Sequence, residues 1–229
     1  MPDFPGFPAD FFRFFRDLKN NNTREWFKDN KPRYQAVVQE PMSAFISAMA
    51  PHLKRISPHY VADPRPHGGS MFRIQRDTRF SSDKTPYKTH AACHFRHAAG
   101  RNVNAPGFYA HFATDTLMFG GGVWQPAPEA LAAIRETIAD NPVAWSKITS
   151  ARPVKQRGGV QGERLKRAPK GYAPGHQHIE DLKLKSFYVM AAVEPKLARS
   201  GDLPAEVAGA FRAAAPLSRF VCEALDLPF

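Results

Sequence analysis

The sequence predicts an α+β fold with a mostly antiparallel central sheet flanked by N-terminal and C-terminal helices. Apolar residues recur at helical spacing near both ends of the 229-residue chain. Most of the segments with strand-like alternation lie in one central block. Strands grouped between helices are typical of α+β domains. No linker or internal repeat interrupts the sequence, so we predict one domain over residues 1–229.

Three helices are predicted before the sheet. The first lies between Asp10 and Asn20, where phenylalanines recur at helical spacing. Thr23 is expected to cap a second, short helix. The third covers residues 32–56, and Pro41 should kink or break it, because proline lacks an N–H group and clashes with the preceding turn.

The sheet is predicted from five segments of strand-like composition. Residues 57–69, rich in Pro, Gly and His, are expected to form a loop before it. The segments are residues 71–76, 91–97, 107–113, 116–119 and 185–192. The glycines at 120–122 are expected to allow a bulge or a close approach of two backbones.

Helices return in the second half of the chain. Pro128 introduces one with an apolar inner face, and Pro142 begins a shorter one. A last helix over residues 204–225 is expected to kink at Pro216. Between these helices, residues 152–175 show little periodicity and are rich in Gly and Pro.

Composition excludes several classes of protein. The 43% hydrophobic content and 18 Phe argue against disorder, and no apolar run approaches the roughly 20 residues of a transmembrane helix. The N-terminus lacks the basic-then-apolar order of a signal peptide. Cys93 and Cys222, the only cysteines, are predicted to be free buried thiols. We therefore predict a cytoplasmic protein that does not bind membranes.

The net charge of +11 is concentrated in two segments. Residues 63–101 carry +5 and residues 147–170 carry +7, which leaves −1 for the rest of the chain. If the two segments meet in the fold, they form one basic cleft that attracts an anionic partner. If they do not meet, they are solubilising surface charge.

Residues 73–88 provide the most specific functional signal. Guanidinium forks and ammonium groups on a loop held by a strand suit the oxygens of a phosphate or carboxylate. Asp77 is expected to orient the guanidinium groups. The predicted anion contacts are Arg73, Arg76, Arg79, Lys84 and Lys88, with Lys166, Arg167 and Lys170 of the second basic segment closing the other side. Arg73 or Arg76 is expected to lie near Lys166 or Arg167. The alternative is that Arg–Asp pairs tie strand ends together and the lysines are solvated.

Histidines at residues 90–97 suggest a metal site, but the predicted strand argues against it. His90 and His94 would be roughly 13 Å apart on a strand, too far for one zinc ion. A site would need other segments, such as His111 or His178, and no zinc-binding motif is present, so no metal is predicted. If the protein is an enzyme, His111 and Asp77 are the best general acid/base candidates.

Signatures of common enzyme classes are missing from the sequence. It contains no P-loop, no dinucleotide-binding glycine motif and no nucleophile elbow, so no cofactor is predicted and catalysis is left open. Trp26, Trp124, Tyr87 and Tyr109 could stack on nucleic-acid bases, although buried aromatic residues are the commoner case.

Five motifs are spread over nearly the whole chain. They are FFRFFRDLKNNNTREWF at 11–27, FRIQRDTRFSSDKTPYKTH at 72–90, GFYAHF at 107–112, GGGVWQPAPEAL at 120–131 and LKRAPKGYAPGHQHIEDLKLKSFYV at 165–189. On these motifs the chain resembles an uncharacterised family of bacterial and fungal proteins defined as a domain of unknown function. The resemblance implies one family domain from end to end and supplies no mechanism. Gln177 stands where a proline is expected in that family.

We therefore predict that the protein binds a phosphate-containing or other anionic ligand, a nucleotide or a nucleic acid, in a basic cleft. One alternative is a non-enzymatic protein-interaction module whose basic face meets an acidic partner. Another is a structural network of ion pairs, with the functional site elsewhere. The reaction, the substrate and the oligomeric state stay open.

Overall fold

A five-stranded sheet organises the fold in the computed structural model, which describes residues 4–99 and 104–229. The strands are β1 (Tyr60–Val61), β2 (Ala91–His97), β3 (Gly107–Phe112), β4 (Leu117–Val123) and β5 (Phe187–Val193). They pair in sequence order, each antiparallel to its neighbours. The predicted α+β class, with an antiparallel sheet between N-terminal and C-terminal helices, is confirmed.

The N-terminal helices follow the predicted pattern. They are α1 (Ala9–Asn20), α2 (Arg24–Asp29), α3 (Lys31–Tyr34) and α4 (Glu40–Ile56), with a π-helical turn at Gln35–Gln39. The hydroxyl oxygen of Thr23 accepts a hydrogen bond of 3.2 Å from the backbone N–H of Trp26 and caps α2. The π-helical turn comes directly before Pro41, where the missing N–H group interrupts the ordinary helical ladder. Proline therefore widens this helix locally and does not end it.

The C-terminal half adds helices around the sheet. They are α5 (Pro128–Asp140), α6 (Pro142–Ser150), α7 (Arg152–Lys155), α8 (Ile179–Leu182) and α9 (Leu203–Ala224), with a 3-10 turn at Pro195–Arg199. Helix α9 continues through Pro216 and packs across one face of the sheet. There the ring of Phe211 stacks on Phe108 at 4.9 Å and meets Phe95 at 5.7 Å. We call this buried side the core face.

Two predictions about the edge of the sheet are wrong. Residues 71–76 do not form a strand, since only Met71 and Gln75 make isolated bridges, to Cys93 and Tyr87. After Phe72, whose N–H still donates to Ala92, the chain leaves β2 and pairs with itself, forming a hairpin-like arm over residues 73–88 that we call the basic arm. The predicted loop at 57–69 contains the two-residue strand β1, which is too short to give a periodic signal.

Two further expectations from the sequence concern the cysteines and membrane association. Cys93 and Cys222 are free and buried, as predicted. Within residues 4–99 and 104–229, no helix combines the length and apolar character needed to cross a membrane.

Candidate functional site

A groove of about 600 Å³ lies on the face of the sheet opposite α9, which we call the open face. Strand register places His94, Tyr109, Gly120 and Met190 in one row across β2 to β5. In the neighbouring row, Gly107 and Gly122 lie beside Tyr188. Alternation of side chains turns all of these residues away from the core face. The groove is therefore assembled from four strands, of which β5 is distant in sequence from the other three.

Aromatic rings form the two sides of the groove. On one side Phe72 stacks on the imidazole of His94 at 6.3 Å and meets Tyr109 at 6.1 Å. On the other side Trp124 lies 5.4 Å from Tyr188, and 65% of Trp124 is exposed. An exposed tryptophan beside a second ring makes a stacking surface and not part of the core.

Glycines form the floor between these rings. A Cβ atom at Gly107 would collide with Nε2 of His94, and one at Gly120 would collide with the carbonyl oxygen of Val189. Gly122 has φ of 140°, which L side chains rarely adopt. The close approach of backbones predicted for the triple glycine is confirmed, and it keeps the floor flat.

Burial sets the protonation states of two side chains in the groove, His94 and Tyr109. Desolvation lowers the pKa of His94 to about 4, with a smaller contribution from the charge of Arg96. Burial likewise raises the pKa of Tyr109 to about 12. At neutral pH the groove therefore presents a neutral imidazole and a neutral phenol, each able to hydrogen-bond.

Next to the groove, His111 is part of a small polar cluster. Its Nδ1 atom lies 3.1 Å from the hydroxyl oxygen of Tyr109, and its ring is 4.2 Å from that of His90. Burial lowers the pKa of His111, and the charge of Asp115 acts in the opposite direction. Asp77, the other predicted acid/base residue, lies on the basic arm and is bonded to Arg79. No contact among the described residues joins it to His111.

Two of the predicted anion contacts on the basic arm are already paired. The guanidinium of Arg79 donates to both carboxylate oxygens of Asp77, at 3.0 and 2.7 Å. Arg76 bonds Asp83 at 2.5 Å. The pKa of Asp83 falls to about 2, first because the backbone N–H of Thr85 donates to it and then because of Arg76. The guanidinium groups of Arg76 and Arg79 are therefore occupied by carboxylates of the basic arm itself.

The remaining basic residues of the arm differ in whether their side chains are hydrogen-bonded. Lys84 donates to the carbonyl oxygen of Thr78, and Lys88 donates to that of Arg73, both at 2.9 Å. The Nζ atom of Lys88 also lies 5.3 Å from the ring centroid of Phe72, above the side of the groove. The Arg73 side chain is exposed and has no ion pair within the described part of the chain.

The second basic segment is attached to the other edge of the sheet. Gln161 bridges to Tyr188 in β5 and Arg164 bridges to Leu184 just before it, whereas Met71 bridges to β2. Five strand spacings, roughly 24 Å, separate these attachments. The two segments therefore start from opposite edges of the sheet, and the expected proximity of Arg73 or Arg76 to Lys166 or Arg167 stays a prediction. Charge counted along a chain does not determine which sheet edge a segment joins. Lys166, Arg167 and Lys170 are exposed.

The aromatic candidates from the sequence separate into two groups. Trp124 and Tyr109 line the groove, as base stacking would require. Tyr87 is buried and stacks on Phe27 at 4.2 Å, and Trp26 packs against the core. Sequence reasoning missed Phe72, His94 and Tyr188, because only strand register shows that they surround one cavity. Across the described residues, no three His, Cys, Asp or Glu side chains are grouped to hold a metal ion.

Comparison with known proteins gives one match. A family described as "Conserved hypothetical protein (DUF2461)" matches residues 10–220. No curated protein and no solved structure matches the chain.

Proposed function

The chain belongs to the DUF2461 family of conserved hypothetical proteins, and from the shape of its groove we propose that it binds nucleotides. The ligand is a free nucleotide or a segment of single-stranded nucleic acid. The observation that carries the proposal is the pair of aromatic sides, Phe72 with Tyr109 and Trp124 with Tyr188, facing each other across a glycine floor. Sheet faces that present such rings suit unstacked bases.

The size and chemistry of the groove support this class of ligand. Its volume of about 600 Å³ lies within the usual range of about 300–1,000 Å³ for small-ligand sites. Neutral His94 and Tyr109 supply hydrogen-bonding groups for a base edge without placing a charge beside an aromatic ring. A flat floor lets a planar base lie against the sheet.

Positive charge at one end of the groove suits the phosphate groups of a nucleotide or nucleic acid. Lys88 lies over Phe72, and exposed Arg73 follows Phe72 in the chain. Arg96 is exposed on the same face as His94, two residues further along β2. We infer that these three residues face the phosphates, while Arg76 and Arg79 shape the arm through their own carboxylates.

The test is direct binding to labelled oligonucleotides, measured by fluorescence anisotropy. Single-stranded DNA and RNA should bind more tightly than a duplex, and free nucleotides should compete. Raising the salt concentration should weaken binding, with log affinity falling by about 0.7 per phosphate contact for each log unit of salt. Arg73→Gln should reduce that slope by one contact.

Trp124→Ala should remove about 1–3 kcal/mol of binding free energy, the usual contribution of one stacked base. Trp124→Phe should retain part of it. Val143→Ala is the matched control, because Val143 is 68% exposed on α6, away from the open face. Failure of all single strands and nucleotides to bind at low salt would refute the proposal and leave an acidic protein partner as the surviving alternative. Binding that is insensitive to Trp124→Ala would place the site outside the groove.

A further inference from the structure

A second cavity of about 550 Å³ lies on the helical side of the molecule, away from the open face. We call it the helical-face pocket. It is formed where the end of α4, helix α6 and the outer side of α9 meet. Ile56, Ile148, Ala215 and Phe220 give it an aliphatic and aromatic lining. Because α9 lies between this pocket and the sheet, the pocket is separate from the groove proposed to bind nucleotides.

Basic residues from all three helices surround this lining. They are Arg55 of α4, Lys147 of α6, and Arg212 and Arg219 of α9, against a single acid, Glu223. Within residues 4–99 and 104–229, Arg55, Lys147 and Arg212 form no ion pair. Arg219 lies 4.6 Å from the ring centroid of Phe229. The pocket therefore has several cationic groups that are free to bind an anion.

The positive potential of this region also acts on a neighbouring histidine. Burial lowers the pKa of His52, and the charges of Arg55 and Arg212 lower it further. Two helices thus direct guanidinium groups to one locality. Clefts with one sign of charge and apolar walls concentrate ligands of the opposite sign.

We propose that the helical-face pocket binds an amphipathic carboxylate, with its anionic head between Arg55 and Arg212 and an alkyl chain over Ile148 and Phe220. A guanidinium fork matches the two oxygens of a carboxylate. The lining contains no hydroxyl side chain to satisfy the additional oxygens of a phosphate. Aliphatic side chains favour an alkyl body, because moving its methylene groups out of water is favourable.

Isothermal titration calorimetry with decanoate tests this assignment on the full chain, at ligand concentrations below micelle formation. Decanoate should bind, whereas decanol, which lacks the charge, and acetate, which lacks the chain, should each bind about tenfold more weakly or not at all. Decyl phosphate should not exceed decanoate. Tighter binding of decyl phosphate would overturn the choice of a carboxylate head.

A pair of double variants tests the residues. Arg55→Gln/Arg212→Gln should weaken decanoate binding about tenfold or more. The control, Arg16→Gln/Arg24→Gln, removes the same charge from exposed N-terminal positions outside the pocket and should leave affinity within about twofold. Equal loss in both variants would mean that net charge alone attracts the ligand. Absence of decanoate binding, or equal affinity for decanol, would overturn the proposal. Circular dichroism of each variant confirms that it is folded.

Discussion

Asp77 and Arg79 form a bidentate ion pair at the surface, with their side chains 43% and 76% exposed. The pKa of Asp77 is lowered first by the side-chain hydrogen bond from Arg79 and then by the backbone hydrogen bond from that residue. Water solvates both groups, so loss of one partner does not leave a buried charge. We expect Asp77→Ala to leave the melting temperature essentially unchanged, as measured by calorimetry.

The same pair distinguishes two roles for Arg79. If its fork only holds the arm, Arg79→Lys should leave oligonucleotide affinity unchanged, because Asp77 already occupies the paired donors. If Arg79 contacts phosphate, loss of the fork should weaken binding even though the charge is kept.

For the stability of the pair, a large fall in melting temperature for Asp77→Ala would contradict its exposed geometry.

Strand β4 depends on a residue without a side chain at Gly120. A Cβ atom there would meet the backbone of Val189 and Met190 in β5, which cannot move away as a flexible side chain could. We expect Gly120→Ala to lower the free energy of unfolding by about 1–3 kcal/mol, as overpacking does elsewhere. Urea denaturation measures this change. Separation of β4 from β5 should also weaken oligonucleotide binding, because Trp124 directly follows β4 and Tyr188 lies in β5.

Gly175→Ala is the matched control for that substitution. No atom lies within 4 Å of the Cβ position at Gly175. The added methyl group should be neutral or slightly stabilising, because it reduces the freedom of the unfolded chain. Equal stability of the two variants would contradict the close approach of β4 and β5.

The helices and strands show which parts of the fold can be predicted from the sequence. Helices α1 and α9 were predictable because their apolar residues repeat at helical spacing, a local property. Alternation at residues 71–76 predicts an extended chain but not its pairing partner, and most of this segment pairs within the basic arm and not with the sheet. The groove was missed for the same reason, since His94 and Tyr188 meet only through the register of β2 to β5. The charge pattern of the sequence points to the basic arm, whereas neutral aromatic rings define the cavity.

At the scale of the whole molecule, the two proposed sites lie on opposite sides of the fold. The sheet and α9, packed against each other, separate the groove from the helical-face pocket. Coupling between sites requires two global states of the protein, with each ligand binding one of these states more tightly than the other. The sheet and α9 share a continuous buried core, and no second arrangement of it is evident from the contacts of the described residues. We expect saturating decanoate to change oligonucleotide affinity by less than about twofold. A larger change, or direct competition, would mean that both ligands use one site.

Acidification should destabilise the whole fold before its carboxylates titrate. Burial lowers the pKa values of His90 and His94 to about 4, with smaller contributions from His111 and Lys88 for His90 and from Arg96 for His94. In the unfolded chain both histidines return to about 6.5. Between pH 6.5 and 4 the unfolded state therefore binds more protons than the folded state, and the free energy of unfolding falls as the pH falls. The stabilisation is complete above about pH 6.5 and is lost on passing pH 4.

Urea denaturation at pH 7 and pH 5 measures this dependence. A pKa shift of this size corresponds to about 3 kcal/mol for well-buried His94 over the whole range, and to less for the partly exposed His90. His94→Gln should reduce the difference in stability between the two pH values, because glutamine cannot take up a proton. His67→Gln, at an exposed loop position, should leave that difference as it is in the parent protein. The difference between pH values is the informative quantity, since any packing lost at the contact of His94 with Phe72 affects both measurements equally. If His94→Gln and His67→Gln behave alike, the imidazole of His94 is protonated as readily in the folded groove as in water, and the neutral groove inferred for base binding is wrong.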